Sequence, residues 1–590
     1  MPQTYSMAHI TVSHTLISVR GFTPLFLNDL YAEAPEPASV EDGLPASTAN
    51  LLWLQDRLAG AMWVDPHRRL MEASAMRLVQ TQDRPEPGAY EESFNFKMRP
   101  LPFQMKIFAA ARHMTNIALA PVAMGTGKTK MTLDIAAAKF LAGEIDTLCV
   151  IAPNGVHRQW IEKAIPDHMC PDVEVASHIW KPTKNIPHHV AARTTSRLRV
   201  MSFNVEAFSS ESGKAYAAAR KFLASSPNSM LVIDESSRIK SPKAVRTKTI
   251  QMLRQYSKVR AVLSGTPITR GLEDLYTQFA FLDPAIIGMS NFYSFRNRYC
   301  VTVPAFHGAG FGQVKITGYR NIEEFIGKIA PASFVVPKDV LGLPEKTYER
   351  REVSLSPEQK KLYTALRDEL VADLRARNIK TPANAAVRLI RLQQLLSGYA
   401  ITTTERTAEN GEVIVSEVST PVPSRRLEVL ADVLNEHDGP AVIWCRFTND
   451  IEDVASFLRE DGKKVATYFG ETSAADRAEA VRAFREGEID YFVANPAAAG
   501  TGLDGLQVAQ LAVYYSNTYA AESRWQSEDR IHRIGMRGHA HYVDLVVPDT
   551  VDELVLANLK AKGDLAKAIF DNPGLLEGES LPASLIGEAA

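Results

Sequence analysis

Cysteine is scarce in this chain. Its 590 residues include four, Cys149, Cys170, Cys300 and Cys445, far apart and without a CxxC pair. That spacing argues against a zinc site and a disulfide framework, and leaves buried free thiols in a reducing cytoplasm as the expectation. Long apolar runs are also missing. A membrane-spanning helix needs about 18 or more apolar residues in succession, and the chain has no such run. The first 30 residues lack a basic start followed by an apolar stretch, so no secretory signal is expected. Nor is there an excess of one charge. The net charge is −2, so the totals do not point to nucleic acid. No short-period repeat suggests a solenoid.

What remains is an ordinary globular composition, with 45% hydrophobic and 23% charged residues. At about 150 residues per domain the length predicts three or four units. Charge is uneven locally. From Ser236 to Arg260 there are eight Lys or Arg residues and no acid. Arg375, Arg377, Lys380, Arg388 and Arg391 form a second basic stretch. Such runs are usually solvated faces, and by themselves leave nucleic-acid contact open.

Residues 1 to about 95 look separate. Ile10–Val19 alternates in part and suits a strand. Ala32–Ser47 reads as a loop or linker, and Leu51–Gln82 could hold helices broken near Pro66. From about residue 100, short apolar runs alternate with amphipathic stretches. Ile117–Ala123, Thr147–Ala152, Leu198–Phe203, Met230–Ile233 and Val259–Leu263 are candidate buried strands. Ala441–Trp444, Lys464–Phe469, Asp490–Val493, Gln510–Tyr515 and His541–Val546 repeat the pattern. Near-continuous apolar strands between helices predict two parallel sheets covered on both faces, an α/β fold. The section between them, about 290 to 425, is rich in helical signal, as at Gln359–Arg377 and Ala386–Leu396. Asn410-Gly411 reads as a hairpin turn between Ile401 and Val418.

The strand Ile117–Met124 runs into Gly125-Thr126-Gly127-Lys128-Thr129 and then a helical stretch. Glycines let backbone N–H groups approach phosphate oxygens, and the helix N-terminus adds partial positive charge. Lys128 is placed to reach the β- and γ-phosphates, and Thr129 to ligate Mg²⁺. Val122 stands where the full GxxxxGK[ST] pattern has its first glycine. Met230–Glu235 is an apolar strand ending in two acids, at the strand end where open α/β sheets bind ligands. Asp234 is the candidate Mg²⁺ holder and Glu235 the group that orients and deprotonates water. An Asp-Glu pair at a strand end is equally a cap for the next helix; the phosphate loop upstream gives it meaning.

Three further segments suggest a motor. Ala261–Pro267 is a strand ending in Ser-Gly-Thr-Pro, a loop able to sense phosphate while touching a neighbouring domain. Gly500-Thr-Gly-Leu-Asp-Gly505 follows a strand of the second sheet. Gln526–Gly535 carries Arg530 and Arg533 three residues apart, expected on one helix face and able to reach a γ-phosphate. An arginine finger is worth about 10³–10⁵ in rate, so hydrolysis would require domain closure.

With these segments the chain resembles the Swi/Snf branch of superfamily 2 helicases, over about residues 97 to 575. Arg99–Gln104 is similar to the family's adenine-side motif, with Gln104 as base reader. Val150–Asn154 through Gln159-Trp160 resembles the segment carrying a DNA-contacting loop. Asp234–Lys240, Leu272–Leu275, Phe281–Pro284, Leu355–Tyr363 and Gln526–Gly535 match further family phrases. Ser236 and Ser237 depart from the usual Ala-His, and Met536 from the usual Gln.

The resemblance implies two RecA-like lobes with helical insertions. It also implies ATP and Mg²⁺ as cofactors and tracking along double-stranded DNA through its phosphates, with the basic Arg375–Arg391 stretch as part of the grip. The expected layout is an N-terminal region 1–95, an ATP-binding lobe 96–288, a linker with helical insertions 289–425, a C-terminal helicase lobe 426–575 and a tail 576–590. A compact bacterial or phage motor in the cytoplasm fits this picture. The rivals are a strand-separating DNA or RNA helicase on the same fold and a DNA-binding scaffold with an inactive ATPase. A protein partner for residues 1–95 stays open.

Overall fold

A computed structural model describes residues 86–561, apart from 184–185, 194–195, 211–212, 269–270, 290, 305–313, 337, 377, 380–381, 408–412, 500–502, 504 and 537. Before residue 86 it describes the strands at 9–12, 16–20, 44–45 and 62–64, and Ala34. Contacts divide the chain into two units, Met1–Gly342 and Leu343–Ala590.

The first unit is built on a seven-stranded sheet, parallel throughout. Its order is Ser333–Val336, Asn116–Val122, Val259–Leu263, Ser229–Asp234, Thr147–Ala152, Leu198–Asn204 and Val175–Ile179. The second unit has a six-stranded parallel sheet, in the order Lys346–Glu352, Ala540–Val546, Leu511–Tyr514, Ala441–Trp444, Tyr491–Ala494 and Val465–Tyr468. All ten apolar runs picked from the sequence are strands of these sheets. The three strands they missed lie at sheet edges. Val175–Ile179 is only half-buried, and Lys346–Glu352 reads Lys-Thr-Tyr-Glu-Arg-Arg-Glu with little burial. An edge strand is covered on fewer sides and tolerates charge, so an apolar-run criterion passes over it. Ser333–Val336 is an edge too, and only four residues long.

Burial follows from the alternation of side chains across each sheet. In the first unit Cys149, Ile151, Leu231 and Ile233 enter one core, while Leu148, Val150, Met230 and Val232 enter the other. In the second, Ile443, Val513 and Tyr515 face one core and Val442, Trp444 and Tyr514 the opposite one. All four cysteines are buried and free. Burial pushes the Cys300 thiol up to about 12. Among the described residues no helix is long and apolar enough to cross a membrane.

The stretch expected to be mainly helical is mixed. Pro357–Arg375 and Pro382–Ser397 are helices. The first starts at Ser356, whose hydroxyl accepts from Gln359 N at 3.1 Å with proline next in line, a capping box with Pro at N1. Tyr399–Thr407 and Val413–Pro421 form the expected hairpin; its Asn410-Gly411 turn lies outside the described residues. Cys300–Pro304 and Val314–Tyr319, however, are strands of a six-stranded sheet with His9–Val12, Leu16–Arg20, Leu44–Pro45 and Met62–Val64. The reading of residues 1–95 needs correcting accordingly. Ile10–Val19 is two antiparallel strands, Met62–Val64 is strand where helix was expected, and Trp63 pairs with Tyr319. Pairing across more than 200 residues leaves no local trace in a sequence.

In the second unit, Arg426 is buried, at 1% exposure, among the helices that cover the sheet. It donates to Leu396 O at 3.0 Å, to Leu545 O at 3.1 Å and to Tyr515 O, and it pairs with Asp552. We expect Arg426→Met to destabilise this unit by about 3–5 kcal/mol, because it strands a buried carboxylate, and Arg426→Met with Asp552→Leu to recover much of that loss. Urea unfolding followed by circular dichroism measures both.

Candidate nucleotide site

Asn116–Val122 ends in the loop 123–127, and Gly127 caps the fourteen-residue helix Lys128–Leu141. Gly125 and Gly127 have φ of 81° and 85°, in the left-handed region open to glycine. Gly127 is also crowded: a Cβ there would lie 2.6 Å from Gln104 Nε2. Gln104 is itself buried and braces the loop. It accepts from Leu101 N at 2.9 Å and donates to Thr126 O at 2.7 Å. Thr126 is fully buried, with its hydroxyl on Ala123 O at 2.6 Å. Lys128 Nζ donates to Val122 O at 3.0 Å, and Thr129 is half-buried in the first helical turn. Backbone N–H groups, an ammonium and a helix N-terminus thus share one concave loop, which suits an anion.

Two strands away, Ser229–Asp234 ends in the carboxylate pair. Asp234 is buried; its Oδ2 accepts from Trp160 Nε1 and its Oδ1 from Glu235 N, both at 2.9 Å. Burial pushes the Asp234 carboxyl above the ordinary range, while the indole N–H, the Lys128 charge and the Glu235 N–H pull it back. Glu235 has φ 49° and ψ 59°, left-handed for a residue with a side chain. Such a conformation costs on the order of 1–3 kcal/mol and persists where its surroundings over-determine it. Trp160 opens a single turn of π-helix, Trp160–Ala164. From the sequence, Gln159-Trp160 carried only a resemblance to a DNA-contacting segment. The structure puts the indole on the candidate metal carboxylate. The one signal available was a tryptophan in a helix that follows a buried strand.

Between these two strands runs Val259–Leu263, which leads into Ser264–Pro267. Ser264 O accepts from Val122 N at 3.1 Å, and Ser264 Oγ accepts from Thr266 N at 3.1 Å. A Cβ at Gly265 would lie 3.0 Å from Met124 Cγ and 3.6 Å from Lys128 Nζ, so the loop rests on the phosphate loop. Sequence reasoning also missed Gln278, whose buried amide touches both Ser236 and Pro267.

In the second unit the helix Ala521–Ile531 is pinned by Arg524. The guanidinium lies 3.3 Å from the Tyr514 ring centroid, donates to Glu528 at 2.8 Å and pairs with Asp544. Lys346 and Tyr348 also reach Glu528, at 2.9 and 2.8 Å. Arg530 Nη1 donates to Leu503 O at 3.1 Å, tying the helix to the glycine loop; residues 500–502 and 504 of that loop lie outside the described residues. The two arginines do not share a helix face. The helix ends at Ile531, His532 has ψ 82°, and Arg533 sits in the following turn. The basic stretches also differ. Arg388 pairs with Glu369 and Asp373, and Arg391 with Glu417. Arg377 and Lys380 lie outside the described residues. Lys243 and Lys248 are exposed and have no ion pair among the described residues.

Two parallel α/β lobes, a phosphate loop beside a carboxylate pair in one, and an arginine-bearing helix in the other define the core of a helicase-type ATPase. Residues 111–400 match the SNF2-related domain and residues 425–535 the helicase conserved C-terminal domain, and the chain belongs to this SNF2-related family. It is 27% identical over 453 residues to the Xenopus laevis SWI/SNF-related matrix-associated actin-dependent regulator of chromatin subfamily A-like protein 1, covering 74% of this chain and 41% of that protein. It is 22% identical to the ISWI chromatin-remodeling complex ATPase of Arabidopsis thaliana, covering 78% of this chain and 41% of that one. The chain thus spans about two-fifths of the length of these curated relatives. A solved SWI2/SNF2 ATPase core from Sulfolobus solfataricus in complex with dsDNA aligns with 86% of this chain and 100% of its own, at 22% identity and a TM-score of 0.35.

We expect Asp234→Asn to stabilise the first unit at neutral pH. Folding raises the Asp234 pKa, so above that value the folded protein bears the cost of an ionised buried carboxylate and the unfolded chain does not. Below the ordinary aspartate pKa of about 3.9 both states are protonated and the gain disappears. Asparagine keeps the acceptor for Trp160 but turns its NH2 towards Glu235 N, which offsets part of the gain at every pH. Thermal melts of wild type and variant near neutrality and in acid test this, and a gain that persists in acid would refute it.

Proposed function

We propose that this protein hydrolyses ATP with Mg²⁺ and uses the cycle to move along double-stranded DNA. The observation that carries this reading is the convergence of three loops at the ends of three adjacent parallel strands. They bring Lys128, Asp234 and Ser264–Pro267 into one site. The residues fit the nucleotide and its metal. Gly125 and Gly127 add no side chain of their own to the loop, Lys128 supplies positive charge near the buried oxygens of Asp234, and Thr129 brings a hydroxyl in the first helical turn. Magnesium, when bound, neutralises charge on the transferred phosphoryl group.

Lys128 and Thr129 hold the phosphates and metal from the loop, and Asp234 holds the metal from the strand. Glu235, turned off the strand line by its left-handed backbone, orients the attacking water and takes its proton. Gln104 holds the loop in shape, and its remaining lone pair and its second amide hydrogen suit an adenine edge. Arg530, which donates to Leu503 O, and Arg533 are the arginines of the second lobe proposed to act on the γ-phosphate. The exposed Lys243 and Lys248 supply phosphate contacts with little sequence preference, so binding weakens steeply with salt.

The test is steady-state ATP hydrolysis with no nucleic acid, duplex DNA, single-stranded DNA and RNA. Duplex DNA is expected to stimulate most. Glu235→Gln is expected to lower kcat by about 10²–10⁴-fold, and Arg530→Ala and Arg533→Ala each by about 10³-fold or more. Stimulation by RNA or single strands alone would favour a strand-separating helicase. A wild-type rate no higher than that of Glu235→Gln would favour a scaffold.

A further inference from the structure

The loop that follows Glu235 is wired to the loop that rests on Lys128 through one side chain. Ser236, the residue after Glu235, is fully buried and donates from Oγ to Gln278 Oε1 at 2.6 Å. Gln278 is 1% exposed, and its Nε2 donates to Pro267 O at 2.7 Å and to Asp274 O at 2.8 Å. Both amide hydrogens and one acceptor site are therefore engaged, and flipping the planar amide would break all three bonds.

The helix that carries it, Glu273–Leu282, is held at several points. Tyr319 Oη donates to Glu273 at 2.6 Å, Gln251 Nε2 to Thr277 O at 3.2 Å and Arg254 Nη1 to Ala280 O at 2.8 Å. Gly265 in turn is seated 3.6 Å, measured from its would-be Cβ, from Lys128 Nζ. A continuous path thus runs from the phosphate-side ammonium through Gly265 and Pro267 to Gln278, Ser236 and Glu235, inside one lobe. Glu235 is the residue whose backbone is strained and therefore needs its surroundings to hold it.

We propose that Gln278 is a positioning residue that makes the placement of the Glu235 carboxylate depend on the Ser264–Pro267 loop. The inference rests on the hydrolytic reading above. Gln278 is buried and acts through Ser236. Deleting the amide leaves the phosphate loop intact, so nucleotide affinity is retained while the water-directing carboxylate drifts. The path also gives Ser236 a role. An alanine at that position, usual in the family this chain resembles, has no hydroxyl to offer the amide.

The experiment compares Ser236→Ala, Gln278→Leu, Gln278→Glu and the double variant Ser236→Ala with Gln278→Leu, alongside wild type and Glu235→Gln. For each it measures kcat and KM for ATP with saturating duplex DNA, binding of a fluorescent ATP analogue with Mg²⁺, and the melting temperature. Gln278→Leu is expected to lower kcat by about 10- to 100-fold through misplacement alone, with KM and analogue affinity within about twofold, the mark of a group acting on the transition state. Gln278→Glu keeps the acceptor for Ser236 but loses the donor to Pro267 O, and should behave like Gln278→Leu. Ser236→Ala removes a single oxygen and should also fold; its loss should not add to that of Gln278→Leu in the double variant. If kcat is unchanged while the melting temperature falls, or if the two losses multiply, the inference is overturned and Gln278 is a packing brace. A wild-type rate above that of Glu235→Gln, with all Gln278 and Ser236 variants unchanged, overturns this inference alone. A wild-type rate equal to that of Glu235→Gln sinks the hydrolytic reading and this inference with it.

Discussion

Leu263 lies opposite Leu119 on one side and Asp234 on the other. Parallel strands in this register end together, and their following loops must share the same edge of the sheet. The phosphate loop, the Ser264–Pro267 loop and the carboxylate pair are therefore neighbours before any side-chain contact is made. Backbone bonds tighten the arrangement: Ser264 N donates to Leu119 O and Val122 N to Ser264 O. The register is held by strands buried on both faces, so a slip of one residue would turn each apolar set towards the wrong core. The chemistry of the first lobe thus depends on how its central strands are paired.

That pairing is also what lets the site hold unfavourable features. Asp234 is a carboxylate taken out of water, and Glu235 is a side-chain-bearing residue in left-handed backbone. Both carry a cost. Here the indole of Trp160, the backbone N–H of Glu235 and the charge of Lys128 offset part of the burial cost, and the buried turn Ser236–Ile239 holds the backbone. A local cost at the strand end is covered by the cohesion of the sheet behind it, as is common where function needs strain.

The second lobe solves a different problem. Its arginine-bearing helix has to be fixed in place. Arg524 is consumed, stacked on Tyr514 and paired with Glu528 and Asp544, and so is Arg426 in the adjacent core. Those two fix the helix and the sheet it covers. Arg530 lends its guanidinium to the glycine loop, and Arg533 falls beyond the last helical turn. Arginines that look alike in a sequence are separated by their surroundings into anchors, Arg524 and Arg426, and a brace, Arg530.

Much of this was legible beforehand. Central parallel strands must be apolar on both faces, so the nine central strands of the two sheets stand out as runs such as Met230–Ile233, and the edge strand Val465–Tyr468 was picked out with them. Gly125-Thr-Gly-Lys-Thr129 is legible because positive φ and close approach to phosphate leave few residue choices. Local chemistry of that kind is written in adjacent residues, and the sequence by itself determined the fold class, the glycine loop between strand and helix and the acid pair at a strand end. The other three edge strands, the pairing of Met62–Val64 with Val314–Tyr319, the indole of Trp160 on Asp234 and the amide of Gln278 between two loops were decided only by tertiary structure. Each joins residues tens to hundreds of positions apart, through contacts that demand only a compatible polar atom or a pairable backbone. Many sequences meet so loose a demand, which is why no pattern along the chain announces it.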